Sequence, residues 1–192
     1  MLAGFAIFIM LSGFISFNYV LITENKKAEF WRWAKMSISF DRKRIIETES
    51  KINKVDPDFV RAIFWVESQG DSAAISSTGC RGVGQINRGN AKTFGYDHED
   101  MHKDEVSIPI SLRLIKESED FYHKAKLKEP LEEWILREYN VGRGVALKNF
   151  LAGKSYAKLV LLVYKSIKDG SLKVKINNKM VKIDLAKING EA

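Results

Sequence analysis

The sequence predicts a mainly α-helical protein, and three observations predict this class. Apolar residues recur at helical intervals in most segments between residues 52 and 168. Only three prolines interrupt the 192 residues, of which 45% are hydrophobic. The apolar–polar alternation that is typical of strands is confined to residues 172–185. A chain of this length can form one ordinary domain with appendages.

The first element is an uncharged segment, residues 2–22, composed mainly of Leu, Ile, Phe, Ala and Gly. A helix of this length would span roughly 30 Å, the thickness of a bilayer core. We therefore predict an uncleaved transmembrane anchor over residues 1–22. A signal peptide is the alternative, although the segment is longer than the usual apolar region and no small-x-small cleavage pattern closes it.

The juxtamembrane segment, residues 23–51, is polar and basic. By the positive-inside rule its charges would keep the bulk of the chain in the cytoplasm, which conflicts with the function inferred below. The charges nearest the anchor are Lys26, Lys27, Arg32 and Lys35. Three aromatic residues, Phe30, Trp31 and Trp33, suit either an interfacial anchor or a helix that docks on the domain.

The central helix of the domain has a clear start at Asp56-Pro57, with the acid as N-cap and proline at the first helical position. Its buried stripe is predicted to consist of Phe59, Ala62, Ile63 and Val66. Glu67 lies four residues after Ile63 and therefore on the same face. Gly70 is predicted to close the helix.

The later elements follow from the same signals. Residues 76–95 are rich in Gly, Ser, Thr and Asn, which indicates a loop with short helical turns. Apolar periodicity predicts four further helices, at residues 107–126, 131–139, 145–151 and 156–167. Alternation on both sides of Asn177-Asn178 predicts a small C-terminal β-hairpin. We expect Trp65 and Trp134 to belong to the core.

The net charge of +7 resides almost entirely in the C-terminal tail. Residues 1–58 carry a net charge of +2, residues 59–150 carry −1 and residues 151–192 carry +6. Such a tail suits an anionic envelope polymer, a membrane surface or nucleic acid, or serves only to keep the chain soluble. The lone cysteine, Cys80, excludes an internal disulfide and a CxxC-type zinc cluster.

Glu67 is the strongest candidate for a functional residue. A carboxyl group buried among apolar side chains is costly to ionise and tends to keep its proton near neutral pH. A general acid needs this property in order to protonate a leaving group. The alternative is a structural carboxyl group, but such groups are rarely left in a core.

Three blocks in order extend this hypothesis: Glu67-Ser68, then Gly82-Val83-Gly84-Gln85, then Tyr139-Asn140-Val141-Gly142. Together they resemble the signature blocks of the soluble lytic transglycosylase family, within the lysozyme-like superfamily. The resemblance covers residues 52–168. It divides the chain into a transmembrane anchor at 1–22, a juxtamembrane linker at 23–51, a catalytic domain at 52–168 and a basic tail at 169–192.

The resemblance implies a lysozyme-like helical lobe around a cleft that binds peptidoglycan glycan strands. It assigns Glu67 as the catalytic acid and Tyr139 as the hydroxyl that hydrogen-bonds to its carboxyl group. It further implies that Ser68, Gln85 and Asn140 bind the sugar. Gly84 belongs to the same substrate-binding set, as a tight turn or a close approach of backbone to ligand.

Two residues depart from the family pattern. Gly84 stands where the family usually has methionine, which predicts a roomier pocket or a differently shaped loop. Glu138 replaces the alanine that usually precedes the tyrosine. Its carboxylate would lie either near Glu67, where it would raise the proton affinity of that acid, or in solvent, and we favour solvent.

Glycoside hydrolysis ordinarily uses two carboxylates. No Asp or Glu lies between Asp71 and Asp97, so the loop expected to face Glu67 offers no second acid. This favours a one-acid transglycosylase over a goose-type lysozyme, unless Asp71, Asp97, Asp100 or Glu138 reaches the site from elsewhere.

Residues 98–102, His98-Glu99-Asp100-Met101-His102, match the HExxH pattern of zinc proteases. That pattern requires a helix with an apolar face, whereas this stretch is charged all round. We therefore expect no metal and no cofactor.

The sequence thus predicts a single-pass membrane enzyme that cleaves peptidoglycan by lytic transglycosylation, with its domain outside the cytoplasmic membrane. The expected partners are glycan strands, the membrane and an envelope-spanning assembly, and no nucleic acid is expected. The rival from another class is a non-catalytic peptidoglycan-binding scaffold of a secretion, conjugation or phage system.

Overall fold

The computed structural model describes residues 40–169, 171–176 and 179–184. The predicted anchor over residues 1–22 lies outside this part of the chain, as does most of the juxtamembrane segment. None of the helices in the described ranges is long and apolar enough to cross a bilayer.

The described residues are mainly helical, which confirms the predicted fold class at this level. Seven α-helices and one 3₁₀ helix occur in these ranges. They are α1 (Phe40–Asn53), α2 (Pro57–Ser68), α3 (Arg88–Thr93), the 3₁₀ helix (His98–His102), α4 (Asp104–Ala125), α5 (Leu131–Val141), α6 (Arg143–Lys148) and α7 (Lys154–Lys168).

The core forms around α2, which packs against α7 and also contacts α1. The side chains that α2 buries are Phe59, Val60, Ala62, Ile63 and Phe64. Helix α5 packs between α4 and α7 and contributes the fully buried Trp134, whereas Trp65 is only half-buried. Helix α1 packs on α4 and places Ile46 in the same core, so the predicted boundary at residue 52 falls within a helix of the folded lobe.

The start of α2 follows the sequence prediction. The Asp56 side chain accepts a hydrogen bond from the Asp58 backbone N–H at 2.8 Å, and proline occupies the first helical turn. The Tyr164 hydroxyl donates to the same carboxylate at 2.9 Å, and the Lys168 ammonium lies 2.8 Å from it. The N-cap of α2 is therefore also the point where α7 is fixed to it.

The end of α2 determines where Glu67 points. Helix α2 ends at Ser68, and Gln69 adopts the left-handed conformation, with φ of 55°. Gly70 follows with φ of 76° and donates its N–H to the Phe64 carbonyl at 3.3 Å. This two-residue termination leaves Glu67 in the last turn of the helix, in a run of partly exposed residues from Trp65 to Ser68.

The remaining helices lie close to their predicted positions. Helix α4 begins three residues before the predicted start because Asp104 and Glu105, in its first turn, suit the positive end of the helix dipole. Leu162 in α7 belongs to the apolar pattern that predicted this helix, yet it is 52% exposed. Strands β1 (Ser171–Ile176) and β2 (Lys179–Asp184) pair antiparallel, with Ile176 opposite Lys179. The predicted turn at Asn177-Asn178 lies outside the described residues.

Candidate active site

Glu67 lies at the carboxyl end of α2 and remains partly exposed. The Tyr156 hydroxyl donates a hydrogen bond to its Oε1 atom at 2.6 Å. Tyr156 belongs to the first turn of α7, so the packing of α7 on α2 brings together two residues 89 positions apart. The carboxyl group thus has one fixed donor, in a residue that is only partly exposed.

The environment of Glu67 changes its acidity. Burial raises the pKa of Glu67 from its ordinary value of 4.5 to about 7, and the hydrogen bond from Tyr156 acts in the opposite direction. A carboxyl group with this pKa is about half protonated at neutral pH. It can therefore donate a proton and later accept one, which is what a single acid–base catalyst must do.

Tyr139 does not hold Glu67, so the hydrogen bond implied by the family resemblance is wrong for this pair. The Tyr139 hydroxyl donates to the Gly84 carbonyl at 2.8 Å and lies 3.2 Å from the Ser111 hydroxyl. Because Gly84 has no side chain, its backbone can lie close enough to accept a hydrogen bond from the Tyr139 hydroxyl group. Burial, together with the nearby Glu67 carboxyl group, raises the pKa of Tyr139, which keeps the phenol protonated.

The backbone at Gly84 fills the space that a larger side chain would occupy. A Cβ atom at this position would lie 2.1 Å from the Ser111 hydroxyl oxygen and 2.9 Å from the Tyr139 hydroxyl oxygen. The predicted roomier pocket is therefore wrong, and the alternative of a differently shaped loop applies. Gly84 is buried, with the side chains of Ser111, Tyr139 and Phe64 around it.

We expect Gly84→Ala to lower the free energy of unfolding by about 1–3 kcal/mol, because the new methyl group overlaps the Ser111 hydroxyl. Urea denaturation monitored by circular dichroism measures this change. The double variant Gly84→Ala/Ser111→Ala removes that overlap and should regain much of the loss. A double variant no more stable than Gly84→Ala would show that Ser111 is not the obstacle.

Ser68 and Gln85 both bind the loop between α2 and α3. The Ser68 hydroxyl donates to the Val83 carbonyl at 2.9 Å and accepts from the Gly70 N–H at 3.1 Å. The Gln85 amide nitrogen donates to the Gly82 carbonyl at 3.0 Å. The hydrogen bonds of these side chains thus shape the loop, while their predicted contacts with sugar stay a prediction.

Asn140 lies in the last turn of α5, directly after Tyr139. The residue is partly exposed, and within the described ranges its side-chain amide has no hydrogen-bond partner. An amide that is not engaged by the protein is suited to bind a sugar hydroxyl or N-acetyl group. Sugar binding by Asn140 stays a prediction.

Glu138 does not face solvent, and that prediction is wrong. Its side chain is 13% exposed, with Oε1 at 2.7 Å from the Arg143 Nε atom. The Ser118 hydroxyl donates to Oε2 at 2.8 Å. One carboxylate oxygen therefore binds α6 and the other binds α4, so Glu138 connects α5 to both helices.

The other acids considered as a second carboxylate are also engaged or exposed. The Asp71 carboxylate accepts from the Ala73 N–H at 2.8 Å, and the Asp100 carboxylate binds Lys103 at 2.8 Å. Asp97 is exposed before the 3₁₀ helix. Burial raises the pKa of Glu67 and the hydrogen bond from Tyr156 lowers it, and no carboxylate contributes to the shift. In the described part of the chain, Glu67 thus has no acidic neighbour of this kind.

Each histidine of the HExxH pattern lies within hydrogen-bond distance of a backbone carbonyl group. His98 is buried, and its Nε2 atom lies 2.8 Å from the Ile86 carbonyl oxygen. The Nδ1 atom of His102 lies 2.8 Å from the Ser72 carbonyl oxygen. The segment is a 3₁₀ helix, so the residues do not have the α-helical spacing that a zinc pair requires. Among the described residues, no three acidic, histidine or cysteine side chains could together hold a metal ion.

Tyr156 is the functional residue that sequence reasoning missed. It stands three and four residues before Leu159 and Val160, and therefore on the apolar face of its helix. A tyrosine on such a face usually needs a polar partner for its hydroxyl group. That requirement was the available signal, although the sequence does not reveal Glu67 as the partner.

The described residues form a helical lobe with an acid of raised pKa, Glu67, in the last turn of its central helix, as a general acid requires. The family model described as the Transglycosylase SLT domain matches residues 44–160. This chain belongs to that family. A comparison with curated proteins gave no match.

Proposed function

We propose that this chain cleaves the β-1,4 bond between N-acetylmuramic acid and N-acetylglucosamine in peptidoglycan and forms a 1,6-anhydro-muramoyl end. Membership of the family indicates lytic transglycosylase activity on peptidoglycan. The observation that carries the finer proposal is the Glu67 carboxyl group, with a pKa of about 7 and no second carboxylate contributing to its shift.

In the proposed reaction, protonated Glu67 gives its proton to the glycosidic oxygen, and the bond from this oxygen to C1 of the muramoyl residue breaks. Positive charge develops at C1. The Glu67 carboxylate then takes the proton from the C6 hydroxyl of the same sugar, whose oxygen bonds to C1 and closes the anhydro ring. No water is consumed, and Glu67 ends the cycle protonated.

The hydrogen bond from Tyr156 supports the second half of this cycle. A donor 2.6 Å from Oε1 stabilises the carboxylate form, whereas burial favours the protonated form. The two effects oppose each other, which keeps the pKa near the operating pH and fixes the orientation of the carboxyl group. Tyr156 is therefore proposed as a positioning residue for the acid.

Mass spectrometry of a digest of purified sacculi tests the proposed reaction. Anhydro-muropeptides, lighter by one water than hydrolysis products, are expected. Products with reducing ends would instead show a goose-type lysozyme that activates water. The absence of any soluble product would identify a non-catalytic peptidoglycan-binding scaffold.

We expect Tyr156→Phe to move the alkaline limb of the pH–activity profile to higher pH. Loss of the donor destabilises the carboxylate, so the pKa of Glu67 rises further above its value of about 7. A hydrogen bond to a charged group contributes ~1.5–3 kcal/mol, which corresponds to roughly one to two pH units. Rates of lysis of labelled sacculi across the pH range measure this shift.

Tyr139→Phe is the matched control, because the Tyr139 hydroxyl donates to the Gly84 carbonyl and not to Glu67. We expect its alkaline limb to stay within a few tenths of a unit of the parent's, although the loop is weakened. A shift in Tyr139→Phe with none in Tyr156→Phe would restore the family assignment of the donor.

We further propose that the domain lies outside the cytoplasmic membrane, tethered by the predicted anchor over residues 1–22. The support is the location of peptidoglycan, which outweighs the statistical bias of the positive-inside rule. Protease added to intact spheroplasts should then degrade the domain. Complete protection until the membrane is permeabilised would place the domain in the cytoplasm.

A further inference from the structure

The chain between Tyr139 and Lys168 has an unusual charge pattern. These thirty residues contain no Asp or Glu, and they carry six basic residues: Arg143, Lys148, Lys154, Lys158, Lys165 and Lys168. They form the end of α5, all of α6 and α7, and the connection between those two helices. Arg143, Lys154 and Lys168 pair with Glu138, Glu133 and Asp56, which lie outside the stretch. Lys148, Lys158 and Lys165 are exposed and pair with no acid among the described residues, so their charges are available to anionic partners.

The first half of this stretch, residues 143–154, also exposes large apolar side chains. Val145 is 49% exposed, Leu147 52%, Phe150 56% and Leu151 74%. These four are half of the large hydrophobic residues that are exposed in the described part of the chain. We call residues 143–154 the apolar–basic segment. A cluster of this kind marks a binding surface more often than chance exposure.

Arg137, which is fully buried, holds the backbone of the apolar–basic segment in position. The Arg137 guanidinium donates to the backbone carbonyls of Ala146 at 2.7 Å, Asn149 at 2.8 Å and Ala152 at 2.8 Å. Ala146 is buried against the core. The backbone is thus fixed, and the apolar side chains are presented outward as a preformed surface.

Basic and aromatic groups are already paired within this surface. The Lys154 Nζ atom lies 3.4 Å from the centroid of the Phe150 ring and 3.2 Å from the Glu133 carboxylate. Lys148 is exposed two residues before Phe150. An aromatic ring with ammonium groups beside it suits the boundary between lipid headgroups and acyl chains.

We propose that the apolar–basic segment docks on the surface of a membrane that contains anionic lipids. Lysines alone would suit a hydrophilic anionic wall polymer equally well. The exposed leucines, valine and phenylalanine add a hydrophobic contribution that acyl chains satisfy and such a polymer does not. The proposal rests on these contacts and charges, and it does not depend on the proposed catalytic reaction.

Docking here would hold one end of α7 at the lipid surface. Lys154 begins α7, and Tyr156, two residues later, donates to Glu67. The acid would then be presented to glycan close to the bilayer. The segment therefore adds a second contact with lipid, independent of the predicted anchor.

Photolabelling of the full chain tests the proposal. The chain is reconstituted into vesicles of phosphatidylcholine with phosphatidylglycerol that carries a photoactivatable acyl chain, and labelled peptides are mapped by mass spectrometry. We expect adducts in residues 143–154. The double variant Leu147→Gln/Leu151→Gln should reduce the yield there by about tenfold or more, because two apolar anchors are lost.

Leu162→Gln is the matched control, because Leu162 on α7 is as exposed as Leu147, at 52%, but lies outside the apolar–basic segment. Its labelling should equal that of the parent, and the melting temperatures of all variants show whether they fold. Equal labelling of residues 143–154 in the parent and the double variant would overturn the proposal. Protection of the segment by isolated sacculi or by a second copy of the chain, without lipid labelling, would also overturn it.

Discussion

We expect Glu67→Gln to lower the rate of sacculus lysis by a factor on the order of 10² to 10⁴ or more, the contribution typical of a general acid. Glutamine has nearly the same shape, and its amide oxygen can still accept the hydrogen bond that Tyr156 donates to Glu67 at 2.6 Å. It has no acidic proton to give to the glycosidic oxygen. The loss should therefore appear in the rate of cleavage, with binding of glycan strands largely retained.

Glu138→Gln provides the matched control, because its carboxylate binds Arg143 and Ser118. We expect it to keep most of the parent's activity. If Glu67→Gln lysed sacculi at the parent rate, the assignment of the acid would be wrong. If Glu138→Gln were equally inactive and still folded, a two-carboxylate reaction would have to be considered again.

A pH series separates lost chemistry from lost folding in the Glu67→Gln variant. The pKa of Glu67 is about 7 in the folded chain, against an ordinary value of 4.5. The folded state therefore binds the proton more tightly, and the parent loses stability as pH rises from about 4.5 through about 7. Glutamine cannot ionise. At low pH the variant and the parent should have the same free energy of unfolding. Above neutral pH the free energy of unfolding of the variant should be higher by up to about 3 kcal/mol.

The parts of the fold that could be predicted from the sequence are those encoded locally. Asp56-Pro57 specifies a helix start by capping and fixed φ, and both features are in the structure. The apolar stripe of α2 and the position of Glu67 on it follow from helical periodicity alone. Such patterns need only the neighbouring residues, so the helices could be located without knowing what they contact.

The contacts of the site could not be predicted because they depend on how distant elements meet. Tyr156 and Glu67 are 89 residues apart, and only the packing of α7 on α2 makes the hydroxyl the partner of the acid. Glu138 was expected in solvent because Ser118, which donates to it from α4, lies 20 residues earlier in the sequence.

Gly84 shows a further limit of reasoning from a family pattern. Replacing a large residue by glycine predicts an empty space if the backbone stays in place. Here the Gly84 backbone lies against the Ser111 and Tyr139 hydroxyl groups, which leaves no empty space, and the Gly84 carbonyl accepts the hydrogen bond from Tyr139. A substitution that allows the backbone to approach its neighbours changes the shape of the loop, and the outcome depends on what those neighbours are.

Arg137 is the residue whose removal should cost the most stability. Its guanidinium is fully buried and binds both carboxylate oxygens of Glu129, at 2.7 Å and 2.5 Å. Its other donors bind three backbone carbonyls of the segment between α5 and α7. Every donor group of this side chain is hydrogen-bonded to protein, and of its partners Ala146 is buried and the Glu129 side chain is 12% exposed.

We expect Arg137→Met to lower the free energy of unfolding by about 3–5 kcal/mol, because it leaves the Glu129 carboxylate and three carbonyls without their donor. Urea denaturation measures this loss, and the double variant Arg137→Met/Glu129→Gln should recover part of it because it removes the unpaired charge.

Arg143→Met is the matched control, because the Arg143 side chain is 41% exposed and its pair with Glu138 should contribute only about 0–1 kcal/mol. Equal losses in the two single variants would mean that burial of the guanidinium does not decide its contribution. A large loss confined to Arg137→Met would instead show that this side chain holds residues 143–154 in position. The start of α7, which carries Tyr156, would then depend on the same side chain.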